Sequence, residues 1–598
     1  MHKNCGKCGR NKNPTCADFV IVGAGTAGAA AAKLLSRHHS VILLEKGINS
    51  DGDQLISDPL ASGVLARAYI NKYFAPFGHA ELTDTGRLFP VVTGLLDGGG
   101  SSVNGMQVVR GTESFFQKIY DVTGKSQWKP QNVFKTYREM ENFDGTANPI
   151  AHGYDGPVDV RQATDNVPAS ELFAQSVSNV TGLPYNIDYN NRTQPNGSFV
   201  EYQLFQTPQK TRESSSTAYL SNLTSCDKCG DVYARKTRCG SLTLYHKATV
   251  DKVIFERGDD RRCKPVARKV KASVNGREMI FTAKNCIILS AGFWSSTILQ
   301  RSGIGARELL EDNCIRVVHD NPNVGKNLQN HTLITLTGVG EVPGVVTDPQ
   351  ALYTGGAFVP DPSLVGSQDR AIQYIGIASP GAYTVIGIPV NPKSTGTLDI
   401  FNSDPTKMGH YVFNYFDDPA DMATAIAMVK QMSLFIVDMG LTPLITFAND
   451  AEVEAYILTS YGQAFHWAGQ CSMGKSSNDS VTNGNFRVHG VEGLYVADDS
   501  IYPTVPDANT AYPAFLAGNL IAKQLSEKHG CGCSHSTKGR VFVDDKKKAK
   551  KYVKSTLPKH FEGKKLNCYL NTGCTRNAAT TNNSNPQAKC PMASVHNK

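Results

Sequence analysis

No uninterrupted apolar run in the 598-residue chain approaches the ~18 residues needed to cross a bilayer, so a membrane-spanning helix is not expected. The opening MHKNCGKCGRNKNPTC lacks the apolar centre of a secretory leader. That predicts a cytoplasmic protein whose sequons, such as those at Asn179 and Asn222, go unused. Ordered metal-ligand spacing is missing too: Cys5/Cys8 and Cys226/Cys229 are CxxC pairs, but neither has a matching second pair or spaced histidines, and no metal site is expected. Charge is scarce at 19%, against 40% hydrophobic residues and 54 glycines, which excludes a disordered chain and implies a sizeable core with many tight turns. The net charge of +8 is small for this length, and six lysines of it lie in the run Lys546–Lys554. A solvated tail accounts for such a run, and nucleic acid is only weakly supported as a partner.

What is present begins with fifteen cysteines placed unevenly, three in the first 16 residues and five in the last 68. Thiols at both ends of a chain fit cross-linking of tails under oxidising conditions, giving a homo-oligomer or filament. The length itself exceeds the ~250–300 residues at which single cores stop growing, so two domains plus tails are expected.

Residues 18–47, DFVIVGAGTAGAAAAKLLSRHHSVILLEKG, read as strand, glycine turn, alanine-rich helix, strand and acid. Gly23 suits the tight turn, Gly25 lets backbone approach a pyrophosphate, and Gly28 lets helix and strand pack closely. The helix N-terminus would face the phosphates. Glu45, 22 residues after Gly23, is placed to accept hydrogen bonds from an adenosine ribose. NAD and FAD both remain open on this fingerprint alone.

The segment GLLDGGGSSVNGMQVVRG at 94–111 resembles the flavin loop of the glucose–methanol–choline (GMC) oxidoreductase family, with Gly99, Gly100, Ser101, Ser102, Asn104, Met106, Arg110 and Gly111 in its pattern. Further blocks agree in order: TRESSSTAYL at 211–220, NCIILSAGFWSSTILQRSGIG at 285–305, NVGKNLQNH at 323–331, STGTLDIFNSDP at 394–405 with NYFDDPAD at 414–421, HGVEGLYVADDSIYP at 489–503 and NTAYPAFLAGNLIAKQL at 509–525. The resemblance implies an α/β fold with a doubly wound, discontinuous FAD/NAD(P)-binding Rossmann-like domain and an α+β substrate domain on an antiparallel sheet. It also implies FAD as the cofactor. Val103 stands where some relatives bond flavin covalently through histidine; valine has no nucleophile, so non-covalent FAD is expected. Asp498 falls where the family places an acid near the flavin and pyrophosphate, although capping a neighbouring turn is an alternative role. Ser296, Gln470 and Thr93-Gly94 depart from the family pattern.

A lone histidine among apolar residues, as in AFHWAGQCSMG at 464–474, is more often a packed core residue than a base. Here His466, Gly469, Met473 and Gly474 reproduce the family's catalytic segment, and Asn509 stands at its partner position. The resemblance therefore implies His466 as the base that takes an alcohol's proton while hydride moves to the flavin, and Asn509 as a donor to the developing alkoxide. An imidazole with an unperturbed pKa of ~6.5 is largely neutral at neutral pH. His331 is read as structural.

The expected organisation is a Cys-rich tail at 1–16, an FAD domain at 17–110, 206–330 and 456–530, a substrate domain at 111–205 and 331–455, and a poorly ordered tail at 531–598. Strands such as Thr397–Asn402 are expected in an antiparallel sheet under helices that include 419–438. The leading function is oxidation of a small alcohol with O2 or another electron acceptor. The alternatives are an assembly protein on the same scaffold, such as a virion component of a large DNA virus, and a lyase that keeps FAD only for structure.

Overall fold

The run Phe19-Val20-Ile21-Val22 is built from β-branched and aromatic residues that suit a strand buried on both faces, and it lies at the heart of the strand Cys16–Val22. In the computed structural model this strand pairs in parallel with Ser40–Leu44, Phe19 opposite Val41, and with the end of Arg277–Leu289, Val22 opposite Leu289. Ser241–Tyr245 and Leu494–Val496 extend the parallel set to either side. Antiparallel strands flank it: Ala248–Glu256 and Val266–Val274 beyond one edge, Val232–Lys236 and Thr224–Ser225 beyond the other. The helix Thr26–Leu35 follows the first strand, and four consecutive alanines, Ala29 to Ala32, keep its packed face thin. It lies against the last described helix, Ala511–His529, where Gly518 permits close contact: a Cβ there would sit 2.3 Å from the Ala27 carbonyl oxygen.

The structure describes residues 14–50, 52–59, 74–76, 91–164, 167–226, 231–256, 264–344, 353–364, 366–407 and 409–530. The tail at 531–598 and all but the last residues of 1–16 lie outside that set, and with them the tail cysteines other than Cys16. Of the cysteines inside it, Cys226 and Cys239 are disulfide-bonded, so the Cys226 sulfur is not free to bind zinc.

A second sheet is antiparallel throughout, in the order Thr442–Pro443, Thr332–Val339, Ala382–Pro389, Ile372–Ser379, Gly356–Val359 and Gly197–Phe199, with Gly462–Gln463 also on Thr332–Val339. Pro419–Asp438 covers it, started by Asp418, whose side chain accepts from the Ala420 N–H, and by proline at the first helical position. Met428, Val429, Met432, Phe435 and Ile436 form its buried face. By length and composition this helix is apolar enough to cross a membrane, although Asp421 and Lys430 interrupt its apolar run and its apolar face packs on the sheet.

Two expectations of the domain layout are corrected. The strand containing Thr397 belongs to a small separate sheet, Gly396–Ile400 between Lys326–Leu328 and Gly409–Val412. Gln300 holds it there, its side chain bonding Asp399 Oδ1 (2.9 Å) and the Ile400 N–H (3.0 Å). Residues 113–163 join the core of the parallel sheet rather than that of the substrate sheet, through Phe116, Trp128, Tyr137 and Val160. Tyr137 stacks at 4.6 Å on Tyr512 of the terminal helix, and Trp128 at 6.0 Å on Tyr502, so this segment's aromatic payload is spent there.

Phe435 is fully buried against Phe173 and Tyr374, while its neighbour Leu434 is 55% exposed. Phe435→Ala is expected to lower stability in urea unfolding by ~3–5 kcal/mol, and Leu434→Ala to stay within ~0.5 kcal/mol of the parent. Equal losses would contradict the packing of this helix.

Candidate active site

Four glycines of the two glycine-rich segments separate into those the fold needs and those it does not. Gly23 has φ +96°, and a Cβ there would lie 2.4 Å from the Ser290 carbonyl oxygen; a Cβ on Gly28 would lie 1.9 Å from the Gly23 oxygen. Both are demanded by the chain's own packing. Gly25 has φ −71°, accessible to any residue, and its nearest neighbour would be Gly99 Cα at 4.0 Å; a Cβ on Gly100 would meet nothing within 4 Å. No packing among the described residues explains these two. Together with the helix N-terminus at Thr26 they leave a backbone-lined space of the kind a pyrophosphate occupies, and on that observation the residues fit a dinucleotide such as FAD.

The two segments are joined directly. The Gly98 N–H donates to the Ala24 carbonyl (2.8 Å), and a Cβ on Gly99, φ +52°, would come within 2.9 Å of Gly25 Cα. Glu45 is buried, with Oε2 accepting from the Ala24 N–H (2.8 Å) and Oε1 from the Gly47 N–H (2.7 Å), so it braces the turn and retains further lone pairs for a ligand. Burial raises its carboxyl above the usual range.

Ser101 and Ser102 turn their hydroxyls inward. Ser101 Oγ donates to the Gly98 carbonyl (2.7 Å) and accepts from the Ser215 N–H (3.0 Å); Ser102 Oγ donates to the Asp97 carbonyl (2.9 Å). Both hydroxyl protons are therefore spent within the protein. Asn104 Oδ1 accepts from Arg212 Nη1 (3.1 Å) and the Met106 N–H (3.0 Å). Arg212, quoted in the TRESSSTAYL block but not singled out from sequence, reaches under this loop and also bonds the Asn104 carbonyl (2.7 Å); its Nη2 is buried without a partner, and burial lowers the guanidinium to about 10. Asp498 caps the turn Asp499–Ile501: Oδ1 accepts from the Ser500 N–H and hydroxyl, Oδ2 from the Gly292 N–H (2.9 Å) and the Ser295 hydroxyl (2.6 Å). Its carboxylate is fully engaged within the protein.

His466 lies in a stretch that runs antiparallel to Gln329–His331. The Ala464 N–H donates to the His331 carbonyl (2.9 Å), Gln329 and Ala468 exchange both backbone bonds, and the His466 N–H donates to Asn330 Oδ1 (2.7 Å). The stretch ends at Gly469, φ +95°, where a Cβ would stand 2.1 Å from the Asn327 oxygen. Gln470, at a position where threonine was the pattern, donates to the Gly292 and Phe293 carbonyls. Asn509 sits two residues before the terminal helix and brings Nδ2 to 3.4 Å from His466 Nε2, while its Oδ1 is buried without a partner. On the other side, His331 Nδ1 lies 2.9 Å from His466 Nδ1. Burial lowers His466 to about 4, and burial together with the His466 ring holds His331 well below the ordinary histidine range, so both are neutral at neutral pH. Phe465, 53% exposed at φ +61°, and Trp467 add apolar surface beside the pair.

The site thus unites His466 with Asn509, and the glycine turn with the 99–104 loop. His331 and Asn330 were missed as site residues; the signal was their place in NLQNH, which pattern alone could not pair with a segment 135 positions away.

The N-terminal model of the GMC oxidoreductase family matches residues 17–333, and the C-terminal one residues 392–518. Among curated proteins, the chain is 28% identical over 558 residues to an oxygen-dependent choline dehydrogenase of Rhizobium johnstonii, covering 86% of this chain and 96% of that one. It is 28% identical over 565 residues to an alcohol dehydrogenase [acceptor] of Pseudomonas putida, with the same coverage. Among solved structures, pyridoxine 4-oxidase from Mesorbium loti shares the fold at a TM-score of 0.75 and 23% identity, over 86% of this chain and all of that one. Formate oxidase does so at 0.74 and 19%, over 87% and 99%.

The two kinds of glycine make separable predictions for flavin-free protein. Gly28→Ala is expected to cost ~1–3 kcal/mol in thermal or urea unfolding through overpacking. Gly25→Ala should be neutral or stabilising by up to ~1 kcal/mol while weakening FAD binding in a fluorescence titration. Unchanged FAD affinity in Gly25→Ala would remove the argument from the open space.

Proposed function

The chain belongs to the GMC oxidoreductase family, and from that premise we propose that it is an FAD-dependent enzyme oxidising an alcohol CH–OH group, with His466 as base and Asn509 steadying the substrate oxygen. The observation that carries this reading is the approach of the Asn509 carboxamide to His466 Nε2 at 3.4 Å, a base and a donor meeting at one point. The names of the choline and alcohol dehydrogenases among its relatives support alcohols as donors.

When bound, FAD accepts the carbon-bound hydrogen as hydride. The backbone at Gly25 and Gly100, the Thr26 helix terminus and Asn104 would hold it. The chain's own chemistry is proton and charge management. His466, neutral and with Nε2 unprotonated, accepts the hydroxyl proton, and an Asn509 N–H stabilises the oxygen as negative charge develops there, an effect worth ~2–4 kcal/mol for one such donor. Val103, a side chain without a nucleophile that packs on the Ile56 and Leu96 cluster, supports non-covalent attachment. O2 or another acceptor completes the cycle.

His466→Ala is expected to slow anaerobic flavin reduction by an active alcohol by ~10²–10⁴-fold with FAD still bound, and Asn509→Ala to slow it less. A His466→Ala protein that bleaches as fast as the parent would make His466 a packed core residue.

Because burial holds His466 near 4, its neutral form persists well below the ordinary histidine value. The reduction rate is expected to stay level from roughly pH 8 to about pH 5.5 and to fall toward pH 4. A break near ~6.5 would mean a base in a water-like setting. Acid or heat denaturation should release the flavin into solution; flavin retained on the denatured polypeptide would refute non-covalent attachment.

A further inference from the structure

The contact between the two histidines has a consequence for which nitrogen of His466 carries a proton. His331 is completely buried, and its ring stands nearly perpendicular to that of His466, at 88° with centroids 5.0 Å apart and the two Nδ1 atoms 2.9 Å apart. With both rings neutral, that contact holds one proton, and one ring donates it while the other accepts. If His466 Nδ1 were the acceptor, its proton would sit on Nε2, and the nitrogen facing Asn509 could not take a proton from anything. If His466 Nδ1 is the donor, Nε2 carries a free lone pair, and His331 must hold its own proton on Nε2.

The surroundings of His331 favour the second arrangement. Among the described residues its Nε2 has no hydrogen-bond partner. The Val390 backbone lies near enough to favour a proton on this ring. The Asn509 carboxamide points the same way: its Nδ2 lies 3.4 Å from His466 Nε2, where an amide N–H calls for a lone pair rather than a second N–H.

We propose that His331 is a positioning residue that sets the tautomer of His466: His331 Nδ1 accepts the His466 Nδ1–H, and this keeps His466 Nε2 unprotonated and aimed at the substrate. As Nε2 takes up the hydroxyl proton, the same Nδ1–H···Nδ1 bond stabilises the imidazolium, in the way a carboxylate orients the base of a hydrolase triad. No bond other than the O–H is broken, and the proton remains on His466. The inference rests on His466 being the base, but its primary test does not require turnover.

In full-length, FAD-loaded protein carrying ¹⁵N-labelled histidine, long-range ¹H–¹⁵N correlation spectra at neutral pH should show His466 as the Nδ1–H tautomer and His331 as the Nε2–H tautomer. His331→Phe should convert His466 partly or wholly to Nε2–H. His331→Asn, whose Oδ1 stands near the place of Nδ1 and can accept, should restore Nδ1–H. In flavin reduction, His331→Phe should lower the limiting rate by ~10²-fold or more with little change in KM, and His331→Asn should recover most of it. An Nε2–H tautomer at His466 in the parent overturns the proposal outright, whatever the variants do and even if His331→Phe fails to fold. So does an unchanged tautomer in His331→Phe, or His331→Asn that restores neither tautomer nor rate. Failure of every alcohol to bleach the flavin would count against the proposed function alone, because the tautomer assignment stands or falls on the spectra.

Discussion

The antiparallel pairing of Ala464–Ala468 with Gln329–His331 is the constraint on which the site depends. Backbone bonds at both ends fix its register, and a one-residue slip would turn the side chain at 466 away from the one at 331. The register is guarded on each side. Gly469 allows the chain to pass over Asn327 where any side chain would collide, and Asn330 spends its Oδ1 on the His466 N–H and its Nδ2 on Tyr415 and Gln463. One strand pairing thereby orients the His466 imidazole, supplies its buried neighbour and aims the ring that faces Asn509.

Asn509 needs an equally firm base. Two residues upstream, the Asp507 carboxylate accepts from the Thr112 N–H and hydroxyl, while Arg370 donates to the Asp507 and Arg110 carbonyls and lies 4.0 Å over the Phe358 ring. Arg110 in turn is locked to Glu141 at 2.7 Å, and Glu141 takes further bonds from His152 and Tyr512. Buried charges are costly unless paired, and Arg110 and Glu141 face each other here, although Arg110 Nε and Arg370 Nε have no hydrogen-bond partner among the described residues. The network joins the end of the 94–111 segment, the 141–152 segment and the terminal helix, and it fixes Asp507 two residues before Asn509.

Legibility in the sequence followed the range of the physics involved. The first strand, glycine turn, helix and second strand were readable because their spacing is local: Gly23, Gly28 and Glu45 act on each other within one βαβ unit. His466 and Asn509 were found through motif resemblance, since no periodicity marks them. What escaped depended on contacts distant in sequence. Ser101 and Ser102 stand in the flavin-loop pattern, yet their hydroxyls bond the carbonyls of Gly98 and Asp97, and Ser215 reaches Ser101 from 114 positions away. The Thr397 strand alternates correctly, but alternation does not name its partner, and Gln300 draws it to a different sheet. Residues 113–163 were assigned by position along the chain, whereas Tyr137 finds its partner on the terminal helix and Trp128 finds Phe486 and Tyr502 shortly before it.

The environment that makes the site competent also sets where the fold weakens. His466 and His331 are held neutral by burial, so folding binds fewer protons than the unfolded chain once pH drops below the ordinary histidine value. For His466, lowered to about 4, stability is fully present above pH ~6.5 and is lost progressively as pH falls from there toward 4, an amount of order ~3 kcal/mol. Glu141 behaves alike in a more acidic window: lowered to about 2 despite burial because Arg110 and His152 face it, it contributes stability above the ordinary carboxylate value that disappears as pH falls toward 2. On acidification His466 and His331 therefore work against the fold before the Arg110–Glu141 pair does. Burial that keeps an imidazole neutral at neutral pH carries this cost in acid, because the same desolvation that disfavours the charged ring favours the unfolded chain once the ring must take a proton.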